Sequence, residues 1–129
     1  MERKKILLVD DAKTVIMMEQ MILSQPEYQL LVANDGEQAI DMALAENPDL
    51  ILLDIIMPDI TGIEVCRRLR EEAATKTTPI IMVTTRSETD YVQNALEAGC
   101  SGYVTKPLDA TLLQRKVREL LDKVDGGEA

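Results

Sequence analysis

The sequence predicts an α/β domain in which a five-stranded parallel sheet has helices on both faces. Short aliphatic runs alternate along the chain with longer segments of helical periodicity, an order typical of consecutive βαβ units. Residues 50–53 are four consecutive aliphatic residues, as expected of a strand that is buried on both faces. The chain has 129 residues, which is enough for one domain with a substantial hydrophobic core.

Five strands are predicted from these runs and from the turn residues that bound them. The first strand ends at two consecutive aspartates, and the second ends at the turn sequence of residues 34–36. The third ends at Asp54, and Pro79 precedes the fourth. The predicted strands cover residues 5–9, 29–33, 50–53, 80–83 and 102–105.

Five helices are predicted from apolar residues spaced three and four positions apart. On the first helix, Val15, Met18 and Ile22 should face the core. The residues expected to be buried include Ala43 and Leu44 on the second helix and Leu112 and Leu113 on the last. The predicted helices cover residues 12–24, 37–46, 63–73, 87–98 and 110–124, with a polar connector at residues 75–78.

Three local signals set the ends of the last two helices. Residues 87–90 resemble a capping box with Asp in place of Glu and should begin the fourth helix. Gly99 is the expected C-cap of that helix, and Asp109 is the expected N-cap of the last one. The domain should therefore cover residues 1–125, with residues 126–129 as a flexible tail.

The composition limits the classes of function. A net charge of −9 argues against nucleic acid as a direct partner, because phosphate binding requires a basic surface. The chain has no histidine, which excludes a Ser-His or Cys-His hydrolase and a histidine-ligated metal site. Cys66 and Cys100 lack metal-ligand spacing and are interpreted as reduced packing residues.

No segment predicts insertion into a membrane. No apolar run approaches the ~20 residues that a membrane helix requires. The apolar run near the start, residues 6–9, is too short for a signal peptide. A cytoplasmic location is therefore expected.

Polar side chains follow four of the predicted strands. They are Asp10 and Asp11 after the first, Asp54 after the third, Thr84 after the fourth and Lys106 after the fifth. In an open parallel sheet such strand ends meet at one edge, where ligands bind. Three neighbouring carboxylates repel one another unless a cation joins them, and an all-oxygen site suits Mg²⁺. A carboxylate nucleophile beside Mg²⁺ and a lysine suits phosphoryl transfer.

These residues and their neighbours resemble the motifs of one family, the receiver domains of two-component response regulators, in the stand-alone form of the chemotaxis regulators. The matching segments are residues 9–11 (Val-Asp-Asp), 52–58 (Leu-Leu-Asp-Ile-Ile-Met-Pro) with Gly62, 84–85 (Thr-Thr) and 103–107 (Tyr-Val-Thr-Lys-Pro). Each segment alone is a weak signal. Four of them in order, each at the end of a strand, are specific, and the resemblance covers essentially the whole chain.

The resemblance implies a (βα)₅ flavodoxin-like fold with strand order 2-1-3-4-5. It also implies that Asp54 accepts a phosphoryl group from the phosphohistidine of a sensor histidine kinase or of a phosphotransfer protein. Mg²⁺ would be held by Asp11, Asp54 and the backbone carbonyl of Ile56, with Asp10 acting mostly through water. The Lys106–Pro107 peptide bond would be cis.

The resemblance further implies a conformational switch. The phosphoryl group would draw Thr84 inward, and Tyr103 would rotate from an exposed to a buried position in the vacated space. This would repack the surface of helix 4, strand 5 and helix 5, which would bind a downstream protein target. Homodimers through this surface are common in the family, and the sequence does not decide whether one forms here. Tyr91 is either a partner contact on the same surface or an incidental exposed residue.

Two features depart from the commonest family pattern. Thr85 stands where a smaller residue is usual, which would narrow access for phosphodonors. Ile56 and Arg86 flank the expected approach of the hydrolytic water, which predicts a longer-lived phosphoryl group. Asp49 and Asp59 are interpreted as turn acids without a functional role.

Other functions remain open. An aspartate-nucleophile phosphatase also uses Asp and Mg²⁺, but such enzymes usually carry a second acid two residues after the nucleophile, where this chain has Ile56. A receiver that no longer switches and serves as a constitutive binding module is opposed by the intact set of site residues. Flavin binding suits the fold, but no residue supports it. We expect no enzymatic turnover beyond self-catalysed phosphoryl transfer and slow dephosphorylation.

Overall fold

The sheet consists of five parallel strands in the order β2-β1-β3-β4-β5. The computed structural model describes residues 3–85 and 91–126. Its strands are β1 (Lys4–Val9), β2 (Tyr28–Ala33), β3 (Leu50–Asp54), β4 (Ile80–Thr84) and β5 (Gly102–Thr105). The predicted fold class and strand order are confirmed, and every strand end lies within one residue of its predicted position.

The helices form one layer on each face of the sheet. They are α1 (Lys13–Ile22), α2 (Gly36–Glu46), α3 (Gly62–Glu71), α4 (Val92–Glu97) and α5 (Ala110–Gly126). The core under α2, α3 and α4 is separate from the core under α1 and α5. Within the described residues, no helix is long and apolar enough to cross a membrane.

Strand β3 lies between the two cores and is buried throughout. Its four aliphatic side chains are 0% exposed. Ile51 and Leu53 belong to one core, and Leu50 and Leu52 belong to the other. Because both faces are covered, the strand is a continuous aliphatic run rather than an alternating one. The carboxylate of Asp54, which ends the strand, is thereby fixed at the rim of a rigid sheet.

The helix ends differ from the prediction by a few residues. α1 is shorter than predicted, α3 ends at Glu71 because Glu72 adopts extended backbone, and α5 continues to Gly126. The predicted capping box at residues 87–90 lies outside the described residues. The C-cap of α4 is Ala98, one residue before the predicted Gly99, which follows it with a φ of +106°. The predicted N-cap is confirmed, because the Asp109 carboxylate accepts a hydrogen bond of 3.0 Å from the amide of Leu112.

Three residues that were predicted to be buried are substantially exposed. Met18, Leu44 and Leu112 have exposed fractions of 45%, 40% and 38%. Each lies beside a buried residue, and these neighbours are Glu19, Ala43 and Leu113. The burial of Ala43 and Leu113 was predicted, whereas that of Glu19 was not. The predicted apolar rows were therefore wrong at these positions. Hydrophobicity alone did not distinguish the row that faces the sheet from the apolar residue beside it.

The connector between α3 and β4 is less exposed than its polar sequence predicts. Thr75 is 0% exposed and Thr78 is 9% exposed. The hydroxyl of Thr75 donates a hydrogen bond of 2.6 Å to the carbonyl of Leu69, near the end of α3. This buried hydrogen bond fixes the connector against the helix.

We predict that Thr75→Val lowers the free energy of unfolding by about 1 kcal/mol, because it removes a buried hydrogen bond while keeping the shape of the side chain. Urea unfolding measures the change. The matched control is Thr77→Val, at an exposed position of the same connector. Equal stabilities of the two variants would contradict a structural role for the Thr75 hydroxyl.

Candidate functional site

The strand ends meet at one edge of the sheet because their registers match. Val9 lies opposite Leu53, Asp54 lies opposite Val83, and Thr84 lies opposite Thr105. β1, β3, β4 and β5 therefore end at nearly the same level. The polar residues that end or follow these strands are brought to a common edge, as the sequence predicted.

Three carboxylates form the centre of this site. Asp10, Asp11 and Asp54 each place one oxygen so that all three oxygens lie within 4.8 Å of one another. Asp10 and Asp54 are nearly fully buried, whereas Asp11 is exposed. The donor set is entirely carboxylate oxygen and is open on the side of Asp11. These features fit a hard divalent cation such as Mg²⁺, which keeps part of its water shell when bound.

Lys106 supplies a positive charge on the other side of the carboxylates. Its Nζ lies 3.3 Å from Oδ2 of Asp10 and 3.4 Å from Oδ1 of Asp54. The contact with Asp54 is also a hydrogen bond. The contact with Asp10 is an ion pair only, since Oδ2 of Asp10 has no hydrogen-bond partner among the described residues. Burial lowers the pKa of Lys106, but attraction to Asp54 and Asp10 outweighs burial and raises it above the usual value. Lys106 therefore stays charged at neutral pH.

The backbone holds Asp10 and Lys106 in place. Oδ1 of Asp10 accepts a hydrogen bond of 2.9 Å from the amide of Ala12, which fixes the turn into α1. The amide of Lys106 donates a hydrogen bond of 2.6 Å to the carbonyl of Thr84. The Lys106–Pro107 peptide bond is cis.

The remaining residues of interest lie around this centre. Thr84 is 0% exposed, and its hydroxyl lies 3.1 Å from the carbonyl of Thr85, to which it donates. Ile56 is 44% exposed in the loop that follows Asp54, and Tyr103 is 41% exposed on β5. Arg86 lies outside the described residues.

A family model described as the response regulator receiver domain matches residues 6–118. The chain belongs to this family. The match begins within β1, covers the other four strands completely and ends about halfway along α5, so the predicted family is confirmed.

Among curated relatives of this receiver domain are two regulators of Bacillus subtilis strain 168. The alkaline phosphatase synthesis transcriptional regulatory protein PhoP is 38% identical over 118 residues, which are 92% of this chain and 48% of PhoP. The transcriptional regulatory protein ResD is 41% identical over 117 residues, which are 91% of this chain and 48% of ResD. The receiver domain thus spans about half the length of these two relatives.

Solved structures resemble the receiver domain over nearly their whole length. A response regulator from Chloroflexus aurantiacus has a TM-score of 0.89 and 31% identity, with 94% of this chain and 99% of that chain covered. The chemotaxis protein CheY4 of Vibrio cholerae has a TM-score of 0.84 and 30% identity, with 92% of this chain and 98% of that chain covered.

Glu19 is a residue near the site that the sequence analysis missed. This glutamate faces inward from α1 of the receiver domain, between the buried residues Ile16 and Leu23, and is only 1% exposed. Its Oε1 has no hydrogen-bond partner among the described residues. Burial, and next the negative charge of Asp10, raise the pKa of Glu19 to about 8. The carboxyl is therefore largely protonated at neutral pH.

We predict that Glu19 destabilises the receiver domain progressively as the pH rises. In the unfolded chain Glu19 ionises near 4.5, whereas in the folded chain it keeps its proton up to about pH 8. The folded state therefore binds more protons across this window, and the free energy of unfolding falls as the pH rises through it. Glu19→Gln is neutral in both states and should gain stability over the wild type across the same window.

Urea unfolding in the presence of a metal chelator, repeated across the pH window, measures this effect. The control is Glu119→Gln, which removes an exposed glutamate of α5. Parallel pH profiles for the wild type and Glu19→Gln would contradict a raised pKa at Glu19.

Proposed function

We propose that this receiver domain accepts a phosphoryl group on Asp54 from a histidine kinase or a phosphotransfer protein. The observation that supports this most directly is the position of Lys106, with Nζ within 3.4 Å of a carboxylate oxygen of both Asp10 and Asp54. Asp54 thus lies between a fixed cation and an acid pair that fits a second cation. This is the charge arrangement that phosphoryl transfer requires.

In the proposed reaction an Oδ atom of Asp54 attacks phosphorus while the phosphorus–nitrogen bond of the phosphohistidine breaks. An acyl phosphate forms, and the imidazole leaves with the bonding electrons. Asp11, Asp54 and the carbonyl of Ile56 would hold Mg²⁺, with Asp10 acting mostly through water. When bound, the cation would neutralise the carboxylates and the phosphoryl oxygens.

Lys106 and Thr84 have separate proposed roles. Lys106 would pair with a phosphoryl oxygen, since its charge is retained at neutral pH and its side chain is only partly exposed. Thr84 would donate its hydroxyl to another phosphoryl oxygen. The Thr84 hydroxyl bonds to a carbonyl at present, so this role requires a change of hydrogen-bond partner.

The output of phosphorylation would be a change in the surface of α4, β5 and α5. Tyr103 is half-exposed on β5, as the proposed inactive state requires, and would rotate inward when Thr84 moves. The altered surface would bind a downstream protein or a second copy of this domain. We also propose a cytoplasmic location, in keeping with two free cysteines and a phosphohistidine donor. Beyond its own phosphorylation and slow dephosphorylation, no turnover is proposed.

We predict that incubation with a small phosphodonor and Mg²⁺ adds the mass of one phosphoryl group to the wild type and none to Asp54→Asn. Intact-protein mass spectrometry measures the gain. Asp122→Asn, which removes an exposed acid of α5, should label like the wild type. Turnover of diverse phosphate esters would favour a phosphatase instead, and absence of labelling in the wild type would favour a binding module.

We predict that Ile56→Asn shortens the lifetime of the phosphoryl group severalfold. Ile56 is 44% exposed in the loop beside Asp54, and a polar side chain there can position the hydrolytic water. The rate of loss of label after removal of the phosphodonor measures the lifetime. Ile56→Leu keeps the position apolar and should decay like the wild type. Equal rates of loss of the phosphoryl group in all three proteins would show that Ile56 does not determine its lifetime.

A further inference from the structure

The loop between β3 and α3, residues 55–61, is attached to the first turn of α2 by Asp59. Oδ1 of Asp59 accepts a hydrogen bond of 2.9 Å from the amide of Gly36, and Oδ2 accepts one of 2.8 Å from the amide of Glu37. Both carboxylate oxygens are thus used by a helix that lies more than 20 residues earlier in the chain. Asp59 was interpreted from the sequence as a turn acid without a functional role, and these two partners were not predicted.

A second contact beside Asp59 fixes the same loop. A Cβ atom at Gly36 would lie 2.4 Å from Cγ1 of Ile60, so the loop packs directly against the backbone of α2. Only glycine fits at this position without displacing Ile60. The hydrogen bonds of Asp59 and the packing of Ile60 therefore hold one side of the loop.

The other side of the loop is closed on itself. The amide of Gly62 donates a hydrogen bond of 2.7 Å to the carbonyl of Ile55. Ile56 follows this closure point and lies three residues before Asp59. The segment that contains Ile56 is thus held at both ends, by the closure at Ile55 and by the attachment at Asp59.

Asp59 caps two amides of α2, but it does so from a different segment of the chain than the N-cap residue of the helix. The helix already has a local N-cap, because Oδ1 of Asp35 accepts a hydrogen bond of 2.8 Å from the amide of Gln38. Asp35 satisfies one amide of the first turn and belongs to the helix itself. Asp59 comes from the loop, so its additional effect is to connect the loop to the helix. The hydrogen bonds from Gly36 and Glu37 also lower the pKa of Asp59 to about 2, so it is fully ionised at neutral pH.

We propose that Asp59 is a positioning residue for the metal site: it holds the β3–α3 loop where the carbonyl of Ile56 can join Asp11 and Asp54 around Mg²⁺. This inference rests on the proposed function, which assigns that carbonyl to the metal. Groups that orient metal ligands without touching the metal commonly contribute to metal affinity. Asp59 acts here through the backbone of its own loop rather than through a side-chain ligand.

The test compares Asp59→Ala with Asp35→Ala. Both variants remove a carboxylate cap from the first turn of α2, but only Asp59→Ala releases the loop. We expect Asp59→Ala to weaken Mg²⁺ binding roughly tenfold, the lower end of the range for residues that support metal ligands. Asp35→Ala should bind Mg²⁺ like the wild type, and Asp59→Asn, which keeps one acceptor oxygen, should lie between. Isothermal titration calorimetry gives the affinities, and urea unfolding gives the stability of each variant.

Gly36→Ala provides an independent disturbance of the same contact. Alanine favours helix more than glycine does, so the substitution should support α2 while its methyl group displaces Ile60 and the loop. Weaker Mg²⁺ binding is expected although the helix itself is not weakened. A helix-capping role alone predicts the opposite, unchanged or tighter binding.

A measurement in the absence of metal tests whether Asp59 holds the loop, independently of whether the carbonyl of Ile56 binds Mg²⁺. Hydrogen–deuterium exchange of residues 55–61 in chelator should be faster in Asp59→Ala than in Asp35→Ala. Equal Mg²⁺ affinity of these two variants, with a wild type that does bind Mg²⁺, would overturn the positioning role and leave the proposed function intact. A wild type that binds no Mg²⁺ would overturn the proposed metal site and this inference together.

Discussion

The mutual repulsion of Asp10, Asp11 and Asp54 is the constraint on which the rest of the structure depends. Two of these carboxylates are nearly buried, where charges interact more strongly than in water. Lys106 offsets part of the repulsion, and β5 can place it there because that strand ends level with β4. A negative excess remains at the edge of the sheet. In the proposed function, a bound cation would offset this excess and so let an anionic phosphoryl group approach Asp54.

The sheet supplies the rigidity that this arrangement requires. β3 is covered on both faces, so Asp54 extends from a strand whose backbone cannot shift to move its carboxylate away from Asp10 and Asp11. The loop after Asp54 is attached to α2 and closed at Ile55, and the turn after Asp10 is fixed by the amide of Ala12. Repelling groups therefore remain within 4.8 Å of each other because the backbone around them is held by packing and hydrogen bonds.

Much of this could be predicted from the sequence, for a physical reason. Parallel strands have continuous aliphatic sequences, and the first polar residue after each strand lies at the ligand-binding edge, so Asp10, Asp54 and Lys106 could be placed without coordinates. Glu19 could not be placed, because the buried face of a helix is predicted from the spacing of apolar residues and a glutamate does not belong to such a pattern. The prediction chose Met18 beside it, which is exposed.

Asp59 and Thr75 escaped prediction for a different reason. Their types are common in turns, and nothing in a local pattern identifies the group that each one bonds. The partner of Asp59 is the backbone of α2, more than 20 residues away, and the hydroxyl of Thr75 bonds a carbonyl six residues earlier. Tertiary partners of this kind follow from the packing of the loops, which the periodicity of the elements does not determine.

The register of the last two strand pairs has a consequence for how far a signal must travel. Asp54 is directly across from Val83, and the next residue of that strand, Thr84, is directly across from Thr105. Two successive strand pairings, β3 with β4 and β4 with β5, thus connect the acidic centre with the edge strand, a separation of roughly 10 Å at the usual spacing between strands. In the proposed switch, a shift of Thr84 would have only one neighbouring strand to cross before it reached Tyr103 on β5.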